Sequence, residues 1–317
     1  MMKMILWRSV YAIASLFVVS VVVFAATQAL PGDAAVARLG KNATPAALES
    51  FRQLYHLNES LPTQYVHWLG NILQGRLGVS FATGFSVSSL IGHQVTDSLV
   101  LIAATTVVAI PVALALGILT AIRRDRATDH VSSAVMLVIS ALPEFVLGVA
   151  LVVVLATNVL HVLPAVSPVD PEHSIFQQLD LLVLPTLTLV LLVLPYVMRT
   201  VRACMIEALD SEYVTMARLK GMSELRVVLR HALPNMAGPT FQVVAQSLAY
   251  LAGGVVVVES VFQFPGVGQA FVSSVQSRDL PVIQAFAMLL AAFYILVNLL
   301  ADIGTVAMTP TMRGGAR

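Results

Sequence analysis

From Leu181 to Asn235 the chain reads LLVLPTLTLVLLVLPYVMRTVRACMIEALDSEYVTMARLKGMSELRVVLRHALPN. Leu181–Met198 carries no charge, and the run to Val201 reaches the roughly 20 apolar residues that a bilayer-spanning helix needs. The remainder is charged and punctuated. Asp210 and Ser211 are helix-capping residue types, and Glu212 falls in the first turn, where the helix dipole favours an acid. Gly221 is placed to stop that helix, because glycine accepts the left-handed conformation at a helix end. Ser223 then opens a second helix in which Leu225, Val228, Leu229 and Ala232 recur at helical spacing, and Pro234 leads into the next apolar run. The pattern predicts two short helices held against a membrane and tethered to a span on each side.

Working outward, the whole chain has the same character. It is 58% hydrophobic and 11% charged, with mean hydropathy +0.86. Soluble domains carry about 25% charged residues, so lipid must be much of this chain's solvent. A net charge of +1 points to no nucleic-acid partner, and Cys204 alone permits neither an intrachain disulfide nor a thiolate metal cage. Six apolar runs are expected to span, approximately Val10–Leu30, Leu99–Ile122, Val131–Leu155, Leu181–Val201, Met236–Val258 and Ile283–Thr305. Pro111, Pro143, Pro185 and Pro195 lie inside them as possible kinks. The first run is longer than the apolar core of a signal peptide, about 7–15 residues, and is expected to remain as a span. Lys3, Arg8, Arg123, Arg124, Arg126, Arg218, Lys220 and Arg226 fall on one side of this arrangement, whereas 158–180 has no Lys or Arg. By the positive-inside bias both termini are expected in the cytoplasm.

The first outer loop, about Pro31–Ser98, is too long for a mere connector. Thr44-Pro45 is a helix start, and Tyr65, Trp68, Leu69, Ile72 and Leu73 share one face of a second helix, consistent with lying along the membrane surface. A lid packed on the bundle and a docking surface for an outside partner are equally open readings. The chain is expected to be a single transmembrane domain over 1–317, with a first span 1–30, the extracytoplasmic loop 31–98, and a five-helix core 99–308 carrying the cytoplasmic loop 202–235.

Within that loop Tyr213, Ala217 and Gly221 recur every four residues, flanked by Arg218 and Lys220. Small groups on such a stripe let another protein's surface approach the backbone. On spacing alone, partner docking and a plain amphipathic connector are equally open. The loop resembles the EAA loop of ABC importer permeases, in the form found in the dipeptide/oligopeptide/nickel permease family. The likeness is carried by Glu207-Ala208-Leu209, Asp210, Glu212-Tyr213-Val214, Ala217-Arg218, Lys220-Gly221-Met222-Ser223 and His231-Ala232-Leu233. It extends to Leu30-Pro31-Gly32-Asp33 and Gly75-Arg76-Leu77-Gly78 in the outer loop, to Val258-Glu259-Ser260 with Phe264-Pro265-Gly266-Val267-Gly268, and to Asn298 and Asp302 in the last span. Met216 and Leu219 stand where the family more often has Thr and Ala, and Thr309-Pro310 replaces a usual Asp-Pro.

The resemblance implies an all-α membrane protein of type I importer permease architecture with six transmembrane helices. It implies a coupling helix, about Asp210–Met222, seated in a groove of a cytoplasmic ATPase. The implied partners are two ABC ATPase subunits, a second homologous permease subunit as a heterodimer, an extracytoplasmic solute-binding protein and the bilayer of a bacterial or archaeal plasma (inner) membrane. ATP and magnesium would be bound by the ATPase subunits and no cofactor by this chain. Gly40-Lys41 lacks the upstream glycine of a phosphate loop, and no catalytic triad or zinc motif emerges, so no enzymatic role is expected. Di- or oligopeptides are the expected cargo, because the family is mostly peptide-linked. Nickel or another small solute is the alternative, with no His or Cys cluster in the spans to hold a soft metal. A secondary transporter is the rival class, but no internal repeat supports it.

Three residues are candidates for the path or its gate. Glu144 lies in the third apolar run beside Pro143, at a depth where an ionisable group is a functional candidate by default. Its alternatives are a packing hydrogen bond or a protonated carboxyl within the bundle. Glu259 and Phe264 lie at the outer end of the fifth span, where a gate or a contact with a binding protein is expected. Asp302 is expected to be structural.

Overall fold

The structure, a computed structural model, describes residues 2–29, 34–40, 43–170 and 175–308. The Leu30–Asp33 motif, Lys41, Thr309-Pro310, Arg313 and Arg317 lie outside them. The helices are α1 (Met2–Gln28), α2 (Ala34–Leu39), α3 (Pro45–Leu54), α4 (Leu61–Leu73), α5 (Val87–Ile122), α6 (Ala127–Ser140), α7 (Glu144–Leu151), α8 (Leu179–Leu209), α9 (Glu212–Leu219), α10 (Glu224–Val227), α11 (Leu233–Phe262), α12 (Val267–Ser277) and α13 (Leu280–Met308). The residues between α10 and α11 form a π-turn, so Glu224–Phe262 is one continuous rod.

Among the described residues five helices are long and apolar enough to cross a membrane, and α6 with α7 makes a sixth, broken span. The third span expected over Val131–Leu155, with Pro143 as a possible kink, is broken at that proline. The chain turns by 106° between α6 and α7. Pro143 explains the break: it has no N–H to offer the helix and pushes Leu142 out of the helical region. Pro111, Pro185 and Pro195 stay inside helices, as does Pro239, which sequence reading passed over.

α8 is the axis of the bundle. In its most apolar stretch 67% is buried, against 17% for α1. Leu189, Val193, Val197, Met198, Val201 and Met205 form its core face, packed by α5, α6, α7 and α11. α1 packs on α13 at the periphery, joined by an Arg8–Asp302 ion pair and by a hydrogen bond from Gln284 to Thr27 (2.8 Å). Asp302 thus has the structural role expected of it.

α5 approaches α8 closely at Gly117. A Cβ there would meet the Val201 side chain at 2.7 Å and the Met198 carbonyl at 2.9 Å. Gly117→Val is expected to lower stability by roughly 1–3 kcal/mol through overpacking. Gly253→Ala meets nothing within 4 Å and serves as the control. Thermal midpoints of the two detergent-purified variants check this; equal midpoints would refute the close-packing account.

The described residues of the 31–98 segment are mostly helical. Thr44 caps α3 by accepting from the Ala47 N–H (3.3 Å), with Pro45 in the first turn, as its sequence predicts. Span two starts earlier than expected, at Val87 rather than Leu99, because Val87, Leu90, Ile91 and Val95 pack against Phe286 of α13. The apolar face of α4 does not simply lie on the bilayer. Tyr65 and Trp68 pack on Phe24 of α1 (5.4 and 5.6 Å between ring centroids), and the Tyr65 hydroxyl meets Ser20 (2.8 Å).

Candidate functional site

Three places carry the chemistry: the loop at one end of the bundle, a cavity beside the broken span, and a hydrogen-bonded knot at the opposite end.

At the loop end, α8 runs to Leu209, Asp210 terminates it, and Ser211 starts α9. The Ser211 hydroxyl donates to the Ala208 carbonyl (2.6 Å), so it closes α8 rather than capping α9 by its side chain. Gly221 ends the loop's first helix with φ +76°, the left-handed geometry its sequence predicts. Arg218 fastens the hairpin. Its guanidinium donates twice to Glu224 (2.8 and 3.2 Å) and once to the Leu209 carbonyl (3.4 Å). Asp210 pairs with Arg124 (3.0 Å), while Glu207 and Glu212 are exposed and Ala208 is buried.

The expectation for the Tyr213–Ala217–Gly221 stripe needs correction. Ala217 is 4% exposed and packs with Val214, Met222 and Val227, so the small residue lies in the seam of the hairpin. The outward face carries Tyr213 (43% exposed), Met216 (59%) and Leu219 (77%), continued by Leu225 and Leu229 and bordered by Lys220. A run of large apolar groups left open beneath a bundle marks an interaction surface. Just above it, Asp129 at the start of α6 accepts both forks of Arg202 from α8 (2.7 and 2.6 Å). That ion pair fixes the loop's root to the broken span.

The cavity measures about 860 Å³, within the range of small-molecule sites, about 300–1,000 Å³. The bend at Ser140–Glu144 forms one wall, and α8, α11 and α13 form the others. Glu144, expected at mid-span, sits half-buried in the first turn after the break and lines the space. Opposite elements contribute Tyr196 and Arg199, Gln246 and Tyr250, and Tyr294 and Asn298. The Tyr196 hydroxyl donates to Gln246 (2.9 Å), crossing from α8 to α11. Sequence reading missed these groups as a set. A readable signal existed: each helix supplies two polar or aromatic residues three or four positions apart within an apolar run, which places them on one face.

At the opposite end, Glu259 and Phe264 are completely buried. Neither offers surface to a partner in this conformation. The Glu259 carboxylate accepts from the Ser98 hydroxyl (2.5 Å) and the Gly268 N–H (2.6 Å), at the start of α12. Ser98 in turn accepts from the Val267 N–H (2.9 Å). Any Cβ at Gly266 or Gly268 would fall on that carboxylate or on the Val256 backbone, which is why glycines stand there. A second acid, Asp279 at the start of α13, accepts from Ser80 (2.5 Å), Phe81 N–H (2.9 Å) and Ala82 N–H (3.2 Å).

The geometry is that of a bundle of membrane-length helices with a cavity beside the broken span, an exposed apolar face at one end and a hydrogen-bonded knot at the other. A family model described as "Binding-protein-dependent transport system inner membrane component" matches residues 113–314, and its N-terminal companion, "Binding-prot-dependent transport system membrane comp, N-term", matches residues 1–117. The chain is 32% identical over 309 residues to "Probable peptide ABC transporter permease protein y4tP" of Sinorhizobium fredii, covering 98% of each. It is 35% identical over 313 residues to "Glutathione transport system permease protein GsiC" of Escherichia coli K12, and equally to that of Shigella flexneri, covering 99% of each chain.

Proposed function

Since the chain belongs to the family of binding-protein-dependent transport system inner membrane components, the permeases of ABC importers, we propose that its cargo is a short peptide. The observation that carries this reading is the end-to-end match to permeases named for peptide and for glutathione transport. The cavity supports it: a polar, aromatic-walled space of this volume accommodates a di- or tripeptide.

In this reading the chain lies in a bacterial or archaeal plasma membrane with both termini inside. It pairs with a second, homologous permease subunit, and the two cavities together line the path. A solute-binding protein delivers cargo from outside. The outward face of α9, with Tyr213, Met216 and Leu219, seats in the groove of one of two ATPase subunits. Arg218, Lys220, Gly221, Glu207, Ala208, Asp210 and Glu212 shape or border that contact, and Ala217 supports it from within. ATP and magnesium are held by the ATPases, and this chain performs no chemistry.

The rod Glu224–Phe262 gives the loop mechanical reach. A push on α9 passes through the Arg218–Glu224 fork into α11, which lines the cavity, and through Asp129–Arg202 into α6, whose far end is the bend bearing Glu144. The test is uptake by the complex of both permeases and both ATPases in proteoliposomes with the binding protein outside. Accumulation of a labelled tripeptide that requires ATP inside is expected. Accumulation without ATP, or none for any short peptide, would overturn the proposal.

A further inference from the structure

The cavity beside the bend contains two charges that have no partner among the described residues. Glu144 and Arg199 both line it, and neither makes an ion pair or side-chain hydrogen bond among the described residues. Their neighbours behave differently. Arg202, three positions beyond Arg199, is doubly bonded to Asp129, and Arg8 is paired with Asp302. Glu144 is half-buried and Arg199 exposed where both line the cavity, so an acid and a base of the chain are left open to the same space and suit a ligand that carries both charges.

Resting on the peptide reading above, we infer that Glu144 and Arg199 form a two-ended subsite for a zwitterion: Glu144 receives the peptide's ammonium and Arg199 its terminal carboxylate. The alternatives are each half-satisfied. A metal cation suits Glu144 but is opposed by Arg199, and a simple anion suits Arg199 but is opposed by Glu144. A ligand with a positive and a negative end answers both. The guanidinium fork matches a carboxylate with two parallel hydrogen bonds, which a point charge does not. Tyr250 and Tyr294 line the same cavity, are more than half exposed, and their hydroxyls are unpartnered among the described residues. They offer apolar faces with polar tips, which tolerate varied peptide side chains. The site thus reads the termini and ignores the sequence between them.

The test is saturation-transfer NMR on the purified complex of both permeases and both ATPases, without the binding protein. The probes are dialanine, N-acetyl-dialanine and dialanine amide at millimolar concentration. Wild type is expected to bind dialanine best. Glu144→Gln is expected to weaken dialanine binding at least fivefold and to leave the acetylated probe, which has no ammonium, within twofold. Arg199→Gln should do the converse, sparing the amide. Absent binding of dialanine to wild type, or equal losses for free and blocked probes, overturns the subsite. So does failure of either variant to co-purify with the second permease, which would assign the charge to subunit contact. Wild-type uptake of labelled peptide, measured in parallel, separates failure of this inference from failure of the peptide reading itself.

Discussion

Glu259→Ala is expected to lower the thermal midpoint of the purified permease by about 4–5 °C, corresponding to roughly 3 kcal/mol in a chain of this size. The carboxylate joins three elements: Ser98 on α5, its own helix α11, and the first turn of α12 through Gly268. Removing it leaves a buried hydroxyl and buried backbone N–H groups without acceptors, at about 1–3 kcal/mol for each orphaned donor. Interhelical hydrogen bonds measured in membranes average only about 0.6 kcal/mol, which holds the sum near the lower bound. Glu259→Gln keeps one acceptor oxygen and is expected to cost about a third as much. Ser98→Ala should fall between them, since it frees the Val267 N–H and one lone pair of Glu259. A Glu259→Ala protein that melts within 2 °C of wild type would show that the knot holds nothing together.

This knot illustrates what the amino-acid order makes legible and what it does not. The spans at Leu181–Val201, Met236–Val258 and Ile283–Thr305 are readable because lipid demands unbroken apolar runs, and all three lie within observed helices. The helical stop at Gly221 is readable because it is local: one residue's backbone freedom decides it. Glu259 is different. Its bonding depends on Ser98, 161 positions away, so the sequence shows an acid near a span end but not its donors. The early start of span two is hidden by Ser88, Ser89, His93 and Asp97, although Val87, Leu90, Ile91 and Val95 show helical spacing beneath them. The bend at Pro143 is readable as a possible kink, but its 106° angle is a matter of how α7 packs on α8 and α11. The loop shows the limit most clearly. Val214 with Ala217 and Tyr213 with Met216 are both apolar pairs three apart, so periodicity finds two candidate faces on one short helix. Only the fold of α9 back onto α10 decides which pair is buried.

That decision yields the second large effect. Met216→Glu is expected to leave the permease folded, to abolish co-purification of the ATPase subunits, and to reduce ATP-driven uptake by more than about tenfold. Met216 lies at the centre of the outward face, between Tyr213 and Leu219, and touches nothing that the hairpin needs. A carboxylate there would have to be desolvated against the ATPase groove, a cost of several kcal/mol with no partner provided. Ala217→Leu tests the opposite face. Three extra carbons in the seam with Val214 and Val227 would overpack it by roughly 1–3 kcal/mol, prying α9 from α10. Uptake should fall in that variant too, but together with faster proteolysis of the 209–228 loop, whereas Met216→Glu should leave proteolysis unchanged. Two losses of uptake with different proteolytic signatures separate a docking surface from its support. If Met216→Glu retained the ATPases and transported at the wild-type rate, the apolar face of α9 would not be where the engine engages.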